Sequence, residues 1–414
     1  MIPYSKPNVT QEDIDSVLKV LKGDWLTTGP VVTSFEEEFA KFVGCKHAIA
    51  VCNGTAALHL SCQALNIKKG HLGITSAITF LASANCLEYV GAETDFIDVD
   101  KNTLTFSPDK LIEYINNNKK PDIIIPVHFA GIPCDMEQLS KICKEYDIKM
   151  IEDSCHALGS KYMFDGNYFY CGSSSHSDIS IFSFHAVKTV TAGEGGMITT
   201  NNDEYAKFIR RQLNHSIVRE LEDFVPWKIC NYCGEILDDD NKCKDVVFCN
   251  KKNKEKAPWL YQQQNLGFNY RITDIQSALG LSQIKRIDKT LARRDEIFKK
   301  YKLAFKNSEN INLLEEIDNS KPAYHLAIIR IKNNNNVNRS ELVEILRKED
   351  VFAQIHYIPV YLQPYFSNKY GFCVGKAPNA EKVYSNMLSI PLYPSIEDSQ
   401  INVIIDIIKK HVNE

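Results

Sequence analysis

Asp178 to Thr200 reads DISIFSFHAVKTVTAGEGGMITT. Ile179-Ser180-Ile181-Phe182 has strand character, Gly193, Gly195 and Gly196 mark a tight turn, and Met197 to Thr199 resumes β-like residues. Lys188 is therefore expected on a loop between two strands. A lysine beside buried strand ends is partly desolvated, which lowers its pKa and leaves a neutral amine able to form a Schiff base with a carbonyl. Most lysines are solvated surface residues, so the reading of Lys188 depends on its neighbours in the chain.

Upstream, strand and helix patterns alternate. Lys149-Met-Ile-Glu-Asp153 and Asp122-Ile-Ile-Ile-Pro-Val127 read as strands, with a helix near Met136 to Tyr146 between them. Further back, Thr94 to Asp98 and Gly73 onward are strands, the latter running to Phe80 and a helix over 81–90. His47-Ala-Ile-Ala-Val51 is a strand that runs into Asn53-Gly54-Thr55-Ala56 at a helix start. Such a start gathers backbone N–H groups and the positive helix end, an arrangement that favours phosphate or serves only as an N-cap. At the beginning, Thr10-Gln-Glu-Asp13 is a capping box for a helix to about Leu21. This alternation predicts a doubly wound α/β domain with ligands at the carboxyl ends of the strands, where Asp153 falls. A strand-end aspartate also caps turns, and an aromatic such as Phe80 is commonly core.

Downstream, Asp274 to Ile284 reads as a helix, and from about Ile287 charged helices flank a strand predicted at His325-Leu-Ala-Ile-Ile-Arg330. With 414 residues, 44% hydrophobic and 24% charged, the chain has the composition of a globular protein of more than one domain. A net charge of -4 gives no electrostatic case for nucleic acid or an anionic membrane. The start MIPYSKPNVTQEDID lacks a secretory pattern, and no apolar run approaches a membrane span. Thirteen cysteines, most in apolar surroundings, suit reduced thiols and a cytoplasmic location.

The ordered motifs CNGTAALH, AITFLASAN, IEDSCHALGS, SFHAVKTVTAGEGG and LGFNYRITDIQSALGLSQ closely resemble the DegT/StrS-type nucleotide-sugar aminotransferases, pyridoxal phosphate enzymes of the aspartate-aminotransferase fold. The resemblance spans nearly the whole chain. Within that family GDWLTTGP, SFHAVK, GFNYRITDIQSALGLSQ and HYIPVYLQPY most resemble the branch that aminates a UDP-linked 4-keto-6-deoxy sugar in pseudaminic acid biosynthesis. The resemblance implies an α/β fold of the type I pyridoxal-phosphate transferases, with a mostly parallel seven-stranded sheet. Residues 1–285 would form the N-terminal segment and the large cofactor domain, and 286–414 a smaller C-terminal α/β domain. It implies pyridoxal 5'-phosphate as cofactor, with Lys188 as Schiff-base lysine and proton carrier and Asp153 paired with the pyridine nitrogen. Phe80 would stack on the ring, Gly54, Thr55, Ala56 and Ser183 would hold the phosphate, and His156 would lie near the ring or pack as a hydrogen-bonded core residue. Asn269 would reach the partner subunit's cofactor in a homodimer, next to a small-residue surface of Gln276, Ser277, Ala278 and Gly280. His185, His325, His356 and Tyr357 would face the sugar nucleotide, although the histidines also suit core positions.

The expected reaction moves an amino group, with glutamate as donor, to the 4-keto carbon of a UDP-linked 4-keto-6-deoxy-N-acetylhexosamine. A different nucleotide keto-sugar, aminated at C3 or C4 and linked to dTDP or GDP, is the alternative within the class. Related sugar dehydratases carry histidine at the Schiff-base position, and Lys188 argues against that chemistry. A non-catalytic scaffold would have no need of Lys188, Asp153 and a phosphate cradle together.

An insert at about 228–257 interrupts the resemblance. Trp227-Lys-Ile-Cys-Asn-Tyr-Cys-Gly234 contains C-x2-C-G, a knuckle that points two thiolates at one ion. Cys243 and Cys249 complete C-x2-C-x9-C-x5-C with Cys230 and Cys233. Both a four-thiolate structural zinc, which could serve as an interaction module, and a loop of thiols fit this spacing.

Overall fold

Short runs of largely buried residues build the central sheet. Ile123–Ile125 is wholly buried, as are all five residues of Leu72–Ser76, the pattern of strands covered on both faces. The computed structural model describes residues 1–243, 256–332 and 337–412. These divide into two compact units, Met1–Ala206 with Ile272–Glu414, and Lys207–Arg271.

In the first unit, α1 (Gln11–Leu21) and α2 (Pro30–Val43) lead to β1 (His47–Val51), α3 (Gly54–Ala64), β2 (Leu72–Ser76), α4 (Ala82–Tyr89) and β3 (Glu93–Ile97). Then come α5 (Pro108–Asn117), β4 (Ile123–Ile125), α6 (Met136–Tyr146), β5 (Lys149–Asp153), the hairpin β6 (Lys161–Phe164) and β7 (Asn167–Tyr170), β8 (Ile179–Ser183) and β9 (Gly196–Thr200). The seven-stranded sheet has the order β1-β9-β8-β5-β4-β2-β3. Its pairings are parallel except on the two sides of β9. The carboxyl ends of β1, β2, β4, β5 and β8 therefore share one edge.

α7 (Asp203–Gln212) runs into the second unit, whose named strands are β10 (Ile217–Val218) and β11 (Gln262–Gln263), paired antiparallel. The chain returns to the first unit through α8 (Asp274–Lys285) and the charged helix α9 (Ile287–Ala304). β12 (Ile311–Leu313), β13 (Ala327–Ile331) and β14 (Met387–Ile390) then form an antiparallel sheet of three strands, with α10 (Arg339–Lys348) and the final Asp398–Val412 helix nearby in one apolar cluster.

Two expectations are corrected here. The strand expected from His325 begins at Ala327. Leu326 donates its N–H to Ala130 O at 3.2 Å, so the backbone before Ala327 bonds to a turn rather than to the sheet. Gly131 makes that approach possible: at φ +92°, a Cβ there would meet the His325 nitrogen at 2.9 Å. The small residues of α8 are not a free surface either. Ser277, Ala278 and Gly280 are buried within this chain, and a Cβ on Gly280 would meet the Phe35 ring at 2.6 Å.

Candidate active site

Lys188 is held by a loop anchored at both ends. Phe182 and Phe184 are 1% and 0% exposed and pack against Phe39 with ring centroids at 4.9 and 5.6 Å. Removing an aromatic so buried costs about 3–5 kcal/mol, so the loop's roots are fixed. Ala192 N–H donates to Phe184 O at 2.9 Å and Thr191 N–H to Gln283 Oε1 at 3.0 Å, closing the loop. Desolvation pulls the Lys188 ammonium below its usual value, while Cys155 and Asp153 pull it the other way. Burial keeps Cys155 a neutral thiol, which leaves Asp153 as the opposing charge. Lys188 opens onto a cavity of about 500 Å³ at the shared edge of the strands.

Asp153 ends β5 on the cavity wall and is only 4% exposed. Ser83 Oγ donates to its Oδ2 at 2.7 Å and the Cys155 N–H to its Oδ1 at 3.1 Å. Thr79 Oγ1 lies 2.9 Å from Ser83 Oγ and extends this chain. Asp153 caps the turn after β5 and also lines the cavity. Phe80, from the loop after β2, is 57% exposed and lines the same cavity, so it is not a core aromatic.

At the start of α3, Gly54 and Thr55 line the cavity together with Ser183. A Cβ on Gly54 would meet Ser183 Cβ at 3.1 Å, so glycine lets the helix start sit close to the end of β8. Ala56 departs from expectation: it is buried, and its N–H donates to Asn53 Oδ1 at 2.8 Å. The N-cap therefore takes the Ala56 N–H, while Gly54 and Thr55 stay on the cavity wall.

His156, His325 and His356 are buried on the cavity wall, Tyr357 lines it, and exposed His185 joins them. The rings of His156 and His325 are 4.4 Å apart. Burial, reinforced by nearby Lys188, keeps all three buried histidines neutral, with His356 pulled down to about 4. His356 Nδ1 lies 2.9 Å from Ser389 Oγ, whereas Nδ1 of His156 and of His325 is buried with no hydrogen-bond partner. Such atoms are costly to leave unpaired. Both histidines line the cavity. The cavity also takes in Tyr4, Ser83, Cys155 and Glu194, which no local sequence signal marked.

In the second unit, Asn269 is exposed and forms a β-bridge with Asn214. Cys230, Cys233 and Cys243 bring their sulfurs within 4.8 Å of one another. Burial acts to raise the Cys230 thiol, but hydrogen bonds involving Cys243 and the backbone of Tyr232 and Cys233 outweigh it and pull the group down to about 6. Cys249, the fourth expected ligand, lies outside the described residues.

The model of the DegT/DnrJ/EryC1/StrS aminotransferase family matches residues 7–409. Spore coat polysaccharide biosynthesis protein SpsC of Bacillus subtilis is 33% identical over 99% of this chain and 96% of its own. The putative sugar aminotransferase Spr1654 from Streptococcus pneumoniae, in its PMP-form, superposes with a TM-score of 0.85 at 26% identity, covering 100% of this chain and 99% of that one. Helicobacter pylori PseC, an aminotransferase involved in the biosynthesis of pseudoaminic acid, superposes at 0.83 with 26% identity over 99% of both chains. Among the described residues no helix is long and apolar enough to cross a membrane.

Proposed function

The chain belongs to the DegT/DnrJ/EryC1/StrS aminotransferase family, and from that premise we propose that it transfers an amino group from glutamate to the 4-keto carbon of a UDP-linked 4-keto-6-deoxy-N-acetylhexosamine. The observation that carries the reading is a desolvated lysine and a nearly buried carboxylate on one cavity, beside a helix start bearing Gly54 and Thr55. The likeness to PseC supports the sugar class.

The donor set fits pyridoxal 5'-phosphate. Gly54, Thr55 and Ser183 would hold the phosphate, Phe80 would cover the ring, and Asp153 would pair with its nitrogen. Bound there, the cofactor would supply an electron sink for the carbanion that transamination creates. Asp153, fixed by Ser83 and the Cys155 N–H, would hold the proton on the ring nitrogen. Lys188 Nζ would take the proton from the substrate carbon and return it, a task suited to an amine whose basicity burial has lowered. Neutral His156, His325 and His356 could both donate to and accept from sugar hydroxyls, with Tyr357 and His185 at the rim.

The working unit in this reading is a cytoplasmic homodimer in which Asn269 of one protomer reaches the phosphate held by the other. We divide the chain near residue 285 into a large cofactor domain and a smaller C-terminal domain. The substrate is tested by incubating the protein with pyridoxal phosphate, glutamate and a panel of UDP-, dTDP- and GDP-linked 3-keto and 4-keto sugars, following 2-oxoglutarate and the amino sugar. Turnover highest with the UDP-linked 4-keto-6-deoxy-N-acetylhexosamine supports the proposal. Preference for another sugar overturns the substrate while leaving the reaction class.

A further inference from the structure

The aminotransferase reading makes no use of the cysteines of the second unit. C-x2-C-G forms a tight reversal, in which Cys230 N–H donates to Glu235 O at 2.8 Å and Gly234 N–H to Cys230 O at 2.9 Å. Ile229 and Ile236 pair antiparallel across it, and Gly234 takes φ +77°, which favours glycine. A second turn, closed by Asn241 N–H to Asp238 O at 3.0 Å, brings Cys243 to the same place.

The sulfur spacing fits a tetrahedral thiolate site. A tetrahedral zinc with Zn–S of about 2.3 Å has sulfur-to-sulfur edges of about 3.8 Å. Cys233 Sγ and Cys243 Sγ are 3.8 Å apart, and all three sulfurs lie within 4.8 Å. A disulfide needs about 2.05 Å. Cys230 and Cys243 are 3% and 7% exposed, so these sulfurs face inward and toward one another.

The surroundings supply an independent reason for a staple. Between Val225 and Leu266, the buried apolar side chains among the described residues are Cys230, Cys243, Ala257 and Leu260. Ile236 and Trp259 are 71% and 66% exposed. Among the described residues of this segment hydrophobic burial is thus slight, and small units with little buried apolar surface are commonly fixed by a metal.

We propose that Cys230, Cys233 and Cys243 bind one zinc ion as three thiolate ligands and that this ion fixes the fold of the segment. The soft thiolate set selects zinc over hard cations, and binding releases thiol protons, so it weakens at low pH. The site stands or falls separately from the aminotransferase reading.

The test uses the full-length chain purified under reducing conditions without chelator. Elemental analysis should find about one zinc per chain. Stripping the metal and adding Co²⁺ should produce thiolate-to-cobalt charge-transfer bands with tetrahedral visible absorption, and added Zn²⁺ should abolish them. Cys233→Ser and Cys243→Ser should each lower the zinc content at least tenfold, whereas Cys62→Ser, which alters a buried thiol of the first unit, should leave it unchanged. The cobalt spectrum of the unaltered chain keeps the test valid where a serine variant fails to fold. Absence of zinc together with no cobalt bands, unchanged zinc in Cys233→Ser, or a Cys233–Cys243 disulfide found by mass spectrometry of the purified chain would each overturn the proposal.

Discussion

The cavity of the first unit and the cysteine cluster of the second are both built from pre-positioned polar groups, but different forces position them. Lys188, Asp153 and Phe80 are far apart in sequence and meet because parallel strands end on one edge of a sheet whose core is fully buried. Cys230, Cys233 and Cys243 are close in sequence and meet through turns and backbone hydrogen bonds, in a segment with few buried apolar side chains among its described residues. The cavity should therefore keep its shape without a ligand, as a property of the sheet. The cluster should depend on what its sulfurs bind.

The strongest way to sharpen this contrast is Lys188→Ala. It should lower transamination by about 10²–10⁴-fold, the range for losing a general acid–base group, while thermal melting and metal content stay within error of the parent. Loss of metal on this change would break the claim that the two regions are independent. Next is Asp153→Asn, which keeps the shape but removes the charge. A rate loss on the order of 10²-fold is expected, the scale for one preorganised electrostatic partner, with glutamate KM little changed in steady-state assays.

The histidines test the first region through pH. Folding holds His356 near 4 against an ordinary 6.5, so the folded form binds its proton less readily than the unfolded chain. Its contribution is complete above 6.5 and is lost as pH falls toward 4, a loss of about 2 kcal/mol between pH 7 and pH 5. Urea unfolding at these two pH values should show at least that decrement, because His156 and His325 are held neutral in the same way, and His356→Asn should shrink it by about 2 kcal/mol. An identical pH dependence in the variant would mean that His356 is not held neutral by the fold. The smallest expected effect is from Ser83→Ala, which removes the 2.7 Å hydrogen bond to Asp153. A hydrogen bond to a charged group is worth about 1.5–3 kcal/mol, so kcat should fall about 10-fold or somewhat more, and Ser83→Thr should restore part of it.

What was legible in the sequence follows the same division. Lys188, Asp153 and Gly54 could be placed because each closes or follows a strand that the apolar pattern marks, and the topology then carries them to one edge, whereas Ser183 was marked only by the family resemblance. The hairpin β6–β7 carries a readable signal: Asp165-Gly166, with φ of 46° and 76°, is the turn pair that such hairpins favour. Tyr4, Ser83 and Glu194 were invisible because their place depends on which surfaces meet after folding. The same applies to the small face of α8, whose glycine suits close packing in general but does not say that Phe35 is the partner. The side-chain pattern starts the strand at His325, two residues early, because it continues that of β13, whereas the backbone N–H of Leu326 bonds to a distant turn.

One measurement tests the central claim most directly: the absorbance spectrum of the purified protein with pyridoxal phosphate, recorded before and after glutamate and then after a UDP-4-keto-6-deoxy-N-acetylhexosamine, alongside Lys188→Ala. The account predicts a visible band of lysine-bound cofactor that bleaches with glutamate, returns with the keto sugar and is missing from the variant. A parent protein with no such band, or a variant that shows the same band, would contradict the assignment of Lys188 and with it the proposed reaction.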